Sequence, residues 1–184
     1  MPQGQLFIRS RSTRQLTSGA AGLISTIPSE WNDSSNTGYD SVGWVDAYLR
    51  YGMSLEDGAR SKLMTPAPMK TPTNSSNSLR DGVAFAGVAI GKTDKHEFSF
   101  DMHIAAPDEA TFLQLYQRFC DEILRGQYFQ LRLNVSPTKV RHLLYDGCEP
   151  FSEFHLEMAK FTLSVTEPHP EINDNRVPSI MRGT

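Results

Sequence analysis

The stretch EFSFDMHIAAPDEATFLQLYQRFCDEILRGQYFQLRLNV, residues 97–135, decides the fold because its hydrophobic period changes twice. At its start Phe98, Phe100 and Ile104 alternate with polar side chains, which predicts a half-buried strand. Further on, the apolar side chains recur at helical spacing, and Pro107 stands where a helix can begin. The pattern therefore predicts a strand that is followed by one amphipathic helix over residues 107–125.

The residues after this helix return to a period of two. We expect Gly126 to end the helix in a left-handed conformation. Alternating apolar residues then predict a strand over 129–135, a turn at 136–139 and a second strand over 140–145. In a final long strand over 154–165 the apolar parity changes after Met158. We expect a β-bulge at Ala159 and Lys160, which would keep both apolar sets on one core.

The remaining segments are arranged around this core. A chain of 184 residues suits a single domain, 1–184, with a first strand in residues 1–10 and a core in 44–168. Residues 11–43 are rich in Ser, Thr, Gly and Asn, which indicates an insertion or an extended arm. A long loop at 64–82 and a tail at 169–184 complete the chain. We expect a mainly β (α+β) fold, an antiparallel β-sandwich or barrel with one flanking helix.

Composition points to an ordinary globular protein. The net charge of −3 and the hydrophobic fraction of 39% give no global argument for binding nucleic acid or a membrane. No apolar run approaches the ~20 residues that a spanning helix needs. The two cysteines, Cys120 and Cys148, lack metal-ligand spacing, and we expect both to stay reduced in a reducing compartment.

The sequence AGVAIGKT, residues 86–93, matches the loose form of a phosphate-binding loop. Such a loop requires a helix directly after the lysine, because the helix N-terminus and the backbone amides hold the phosphates. The residues after Lys92 instead lead into the strand pattern at 97–104. We therefore interpret residues 91–95 as a hairpin turn and expect no nucleotide site.

No other group of residues predicts catalysis. The five histidines are scattered along the chain, and none forms a metal-binding pair at helical spacing. Asp101 and His103 share one face of their strand, where a solvated polar face explains both. Basic residues such as Arg132 and Arg141 lack the interleaved aromatics of a nucleic-acid platform. We expect a protein that is not an enzyme and has no catalytic residues, no metal and no cofactor.

Several short peptides, taken with the order of elements, resemble a known family. They are YGMSL (51–55), LMTPAPMK (63–70), SLRDG (78–82) and AKFTLSVTEP (159–168). Together with the alternating strand and the helix, they resemble the distal tail and tail-tube proteins of siphophages and prophages of Bacteroides-like bacteria. The resemblance extends over about residues 45–170, and residues 11–43 depart from it.

The resemblance implies a structural protein of the phage tail, located in the virion and assembled in the bacterial cytoplasm. It implies a homo-oligomeric ring, a hexamer, that joins the tail tube to the tip or hub proteins and leaves a channel for DNA, with no membrane partner. The alternatives are a tube protein, a tail terminator, or a monomeric carbohydrate-binding β-sandwich.

The same resemblance implies where neighbouring subunits meet. Sheet edges would continue from one protomer into the next, and the long loop would reach a neighbouring subunit or ring. The candidate contact residues in that loop are Met64, Thr65, Pro66, Ala67, Pro68, Met69 and Lys70. The candidate residues of a lumen or solvent face are Asp101, His103 and Arg132.

Overall fold

The fold is a curled antiparallel sheet that holds one long helix. The computed structural model describes residues 4–17, 19–20, 42–69, 74–75, 84–85, 93–135, 139–155 and 157–170. The strands are β1 Leu6–Ser10, β2 Val45–Asp46, β3 Met53–Leu55, β4 Asn74–Ser75, β5 Ala84–Phe85, β6 His96–Ala105, β7 Tyr128–Leu133, β8 Val140–Cys148, β9 Glu153–His155 and β10 Met158–Glu167. The helices are α1 Arg11–Arg14, α2 Ala47–Tyr51, α3 Ala59–Met64 and α4 Glu109–Phe119, which continues as a π-helix over Cys120–Leu124.

Among the described residues, eight strands form the main sheet, in the order β2-β1-β7-β8-β10-β6-β3, with β9 paired to β10. The two outermost strands, β2 and β3, are joined only by α2 and Gly52. A helix of this length rises about 8 Å, so the two edges of the sheet lie close to each other. The sheet is therefore curled into a half-barrel. The described elements confirm the expected β-rich α+β fold. Of the two expected architectures, a sandwich or a barrel, the curled sheet is nearer to the barrel.

The core fills the concave face of the half-barrel. Inward residues on paired strands meet across the sheet, as Ile8 does with Leu131 and Leu163 does with Phe100. The inner side of α4 and the π-helix adds Phe112, Phe119 and Ile123 to the same cluster, at the helical spacing that the sequence shows. Burial of these apolar side chains is the main source of the stability of the fold.

The long helix begins and ends through local interactions. The side chain of Asp108 accepts a hydrogen bond from the amide of Thr111 at 2.8 Å and so caps the N-terminus. After the π-helix, the residue with positive φ is Gln127, at 57°, and not Gly126. The expected left-handed glycine was wrong by one residue. The amide of Tyr145 then donates to the carbonyl of Gln127 at 2.7 Å, which joins this turn to β8.

The irregularity of the last strand lies elsewhere than expected. Residues 153–155 and 158–167 are two strands, β9 and β10, and their separation accounts for the change of apolar parity. The pairing of β10 with β6 is continuous from Met158 to Glu167, so a bulge at Ala159 and Lys160 was wrong. The register instead shifts against β8 between Ser164 and Val165. Here β8 contributes the extra residue, Asp146.

The outer face of β1, β7 and β8 is covered by a second small cluster. Phe7, Trp44 and Val140 pack together there, and the guanidinium of Arg9 lies 4.7 Å from the centre of the Trp44 ring. The chain returns from the predicted insertion at Gly43, which has a φ of 82°. This part of the sheet is therefore buried on both faces, which alternation along a single strand cannot reveal.

A second sheet is formed within the predicted long loop. β4 pairs with β5 in antiparallel fashion, and no other strand joins them among the described residues. Nearer the core, Met69 forms a β-bridge with Thr93, and the amide of Asp94 donates to the carbonyl of Pro68 at 2.8 Å. We call β4 and β5 the ribbon, and residues 65–69 and 93–95 its stem. The strand β6 begins at His96, directly after the stem. A strand was predicted here in place of the helix that a phosphate-binding loop requires. Residues 91 and 92 lie outside the described part of the chain.

Candidate subunit-contact site

The predicted contact residues lie in the stem of the ribbon. Helix α3 ends at Met64, and residues 65–69 lead away from the core. Met64 and Met69 are 53% and 59% exposed, so both apolar side chains are accessible to another subunit. Lys70 lies outside the described residues. The structure thus brings the described part of the predicted loop to one exposed segment; its contact with another subunit stays a prediction.

A buried arginine holds the beginning of this segment. Arg141, on β8, is 2% exposed, and its Nη2 donates to the carbonyls of Leu63 and Thr65 at 2.6 and 2.9 Å. These carbonyls lie at the C-terminal end of α3, where backbone oxygens lack partners within the helix. Nη1 of Arg141 forms an ion pair with Oε2 of Glu167, which is fully buried on β10. One side chain therefore connects the end of α3 to two strands of the core.

The chain that returns from the stem passes next to the same carboxylate, that of Glu167. His96 is the first residue of β6 and lies directly opposite Glu167 in the sheet register. Its Nδ1 is 3.8 Å from Oε2 of Glu167. Burial, together with the positive charge of Arg141, lowers the pKa of His96. Burial also lowers the pKa of Lys139, which lies close to Arg141.

The predicted polar face at Asp101 and His103 is a connected network on the outer surface. Asp101 accepts a hydrogen bond from Thr162 at 2.7 Å and pairs with Lys62 at 2.9 Å; both interactions lower its pKa. Nδ1 of His103 lies 2.5 Å from Oε1 of Glu56. These side chains are half-buried and already have partners within the chain. Whether this face lines a lumen stays a prediction.

Arg132 corrects the prediction of an exposed face. It is only 3% exposed. In the sheet register Arg132 stands between Phe7 on β1 and Val140 on β8, the two strand residues of the cluster with Trp44. A segment distant in sequence therefore covers this face. The prediction that Arg132 lies on a solvent-exposed face was therefore wrong for the single chain.

A third network joins the π-helix to α2. Glu122 accepts hydrogen bonds from Arg50 at 2.6 and 3.1 Å and from the hydroxyl of Tyr51 at 2.8 Å. The pairing with Glu122 raises the pKa of Arg50, and burial raises that of Tyr51 well above its usual value. The hydroxyl of Ser10 also donates to the backbone carbonyl of Glu122 at 2.5 Å. The network stabilises the connection that brings the two sheet edges together.

The sequence analysis missed the roles of Arg141, Glu167 and His96, although a signal was present. Each is a charged or titratable residue on the apolar parity of its strand. Glu167 continues the inward series of Phe161, Leu163 and Val165. A charge in such a position is buried, and a buried charge requires a partner. The sequence therefore indicated that these residues have partners, but it did not identify the partners.

Within the described residues, no group of three or more His, Cys, Asp or Glu side chains could hold a metal ion. No helix in this part of the chain is long and apolar enough to cross a membrane.

Comparison with known proteins gives few matches. No family model matches the chain, and no curated protein matches it. One solved structure that matches part of the chain is the Dit protein (gp 19.1) of SPP1, described as a paradigm of the hub adsorption apparatus in phages that infect Gram-positive bacteria. The identity is 12% and the TM-score 0.45, over 68% of this chain and 47% of that chain. The chain thus matches about half the length of that protein.

Proposed function

We propose that this chain is a non-enzymatic structural protein of a phage tail, which assembles into a ring through its ribbon. The observation that carries the proposal is the separate β4–β5 sheet, whose stem is attached to the core by buried charges. A two-stranded ribbon is marginally stable alone in water, because it cannot bury a hydrophobic face. A neighbouring subunit would supply the missing surface.

The edges of the main sheet favour contact through the ribbon over continuation of the sheet. The outermost strands β2 and β3 have two and three residues and are connected through α2. Short edge strands give little backbone for pairing with another chain. A contact of the ribbon of one subunit with a different surface of the next is heterologous, and such contacts close into rings when the rotation allows it. The family resemblance favours a hexamer at the distal tail or baseplate hub.

The proposed partners are other copies of the chain and the tube and tip proteins of the tail. DNA would pass through the ring, and the protein would be located in the virion. A tube protein or a tail terminator is the alternative within this class. Copy number separates them, because a stacked tube protein dominates a gel of purified tails whereas a single ring gives a faint band.

Size-exclusion chromatography with light scattering tests the proposal on the full chain. We expect a mass of about six chains at micromolar concentration. The matched variant replaces residues 70–92 by Asn-Gly, which removes the ribbon and closes the stem with a tight turn at the Met69–Thr93 bridge. We expect this variant to fold and to remain monomeric. A concentration-independent monomer of the full chain would contradict the ring, and glycan binding by that monomer would favour the carbohydrate-binding alternative.

A further inference from the structure

We propose that Glu167 is a positioning residue for the ribbon stem: its carboxylate fixes Arg141, which binds the outgoing end, and its own strand pairs at His96 with the strand that follows the returning end. The geometry that points to this is the convergence of two chain segments on one buried carboxylate. Arg141 links Glu167 to the carbonyls of Leu63 and Thr65, where the chain leaves the core. His96 pairs with Glu167 in the sheet register where the chain returns, and its Nδ1 lies 3.8 Å from Oε2 of Glu167, beyond hydrogen-bonding distance.

The burial of this group shows that it does more than neutralise charge. Arg141 and Glu167 are 2% and 0% exposed, so both charges have left water at a substantial desolvation cost. Nε of Arg141 and Oε1 of Glu167 have no hydrogen-bond partner among the described residues. Glu167 binds Nη1 of Arg141, which leaves Nη2 to donate to the end of α3 and the start of the stem. A well-packed apolar pair would serve core stability equally well and would lack these bonds.

The position of the pair at the end of the half-barrel fits this role. Arg141 and Glu167 face inward at the end of the sheet from which the stem departs, next to Leu63. Beyond them, the stem is closed by the Met69–Thr93 bridge and the hydrogen bond from Asp94 to Pro68. Loss of the carboxylate charge would release Arg141 from a fixed orientation and let the two stem segments separate. The direction of the ribbon, and with it any contact that the ribbon makes, would then be lost.

The test compares Glu167→Gln with Glu122→Gln in the full chain. Both substitutions remove one carboxylate charge that pairs with an arginine, but Glu122 lies in the network of Arg50 and Tyr51. Hydrogen exchange is measured at the stem amides, above all Asp94. We expect Glu167→Gln to accelerate exchange there about tenfold or more, and Glu122→Gln to leave it within about twofold of the unsubstituted protein. Unchanged stem exchange in Glu167→Gln, or equal acceleration in both variants, would overturn the proposal.

A second variant covers the case in which Glu167→Gln does not fold. Arg141→Met combined with Glu167→Leu replaces the ion pair by apolar side chains of similar volume, a change that cores commonly tolerate. We expect a folded protein with a fast-exchanging stem, and a slow stem in this variant would overturn the proposal. The consequence for assembly rests on the proposed function: Glu167→Gln should also reduce the ring fraction. A monomeric parent protein would refute the ring alone, because the exchange measurement does not depend on it.

Discussion

Replacing Gly52 by alanine will destabilise the protein more than replacing Gly58, although both glycines have a positive φ, of 67° and 87°. A Cβ at Gly52 would lie 2.6 Å from the carbonyl oxygen of Ala105 and 3.0 Å from Cδ1 of Leu115. A Cβ at Gly58 would meet nothing within 4 Å. The carbonyl of Gly52 also accepts a hydrogen bond from the amide of Ala105 at 3.1 Å. The two backbones therefore cannot separate without loss of this bond.

The difference between the two substitutions isolates the close approach of the chain to β6. A left-handed alanine costs about 1–2 kcal/mol at either position. The reduced freedom of the unfolded chain returns about 0.4–1 kcal/mol, again at either position. Only Gly52 adds the weakened hydrogen bond, about 0.5–1.5 kcal/mol, and the overpacking against Ala105 and Leu115, about 1–3 kcal/mol. We expect a loss of about 1 kcal/mol for Gly58→Ala and about 2–4 kcal/mol for Gly52→Ala.

Urea denaturation followed by circular dichroism measures both free energies of unfolding. The comparison requires equal denaturant slopes, because a changed slope indicates a changed native or unfolded state. Gly52 connects the end of α2 to β3, and its contact with Ala105 continues the pairing of β3 with β6. Losses that agree within about 0.5 kcal/mol would refute the close approach of Gly52 to β6.

Three further predictions follow from the buried networks. Trp44→Ala should lower the free energy of unfolding by about 3–5 kcal/mol in chemical denaturation, because Trp44 is fully buried over Arg9. The control Phe154→Ala, at a side chain that is 54% exposed, should lower it by about 1 kcal/mol or less. Similar losses in the two variants would contradict the burial of the outer face by Trp44. Glu122→Gln should lower the melting temperature, since the charged partner of Arg50 is lost, and an unchanged value would show that the pair contributes nothing. Because the pKa of His96 is lower in the folded protein, the unfolded chain binds more protons, and the free energy of unfolding falls as the pH drops below about 6.5. His96→Gln should remove part of this fall. An identical pH profile in the variant would refute the contribution of His96 to it.

The periodic segments could be predicted from the sequence because each has one apolar face. The alternation of Phe98, Phe100 and Ile104 corresponds to β6, and the helical spacing from Phe112 onward corresponds to α4 and the π-helix. In these segments the local period and the burial in the fold agree.

The errors arose where a distant segment determines burial. Arg132 has the polar parity of its strand, and only the return of the chain at Trp44 covers that face. The bulge expected at Ala159 assumed one strand where a turn separates two. The anchoring of the stem by Arg141 and Glu167 joins residues far apart in sequence, so spacing along the chain does not display it. Polar residues on an apolar parity were the available signal, and they indicate partners without identifying them.

The central claim is that this chain functions as a ring. Electron microscopy of the purified full chain tests it most directly, with single particles classified by symmetry. We expect annular particles with a central channel, six-fold in projection, and we expect them to be lost in the variant that lacks residues 70–92. Particles of single-chain size at every concentration, or rings that persist without the ribbon, would contradict it.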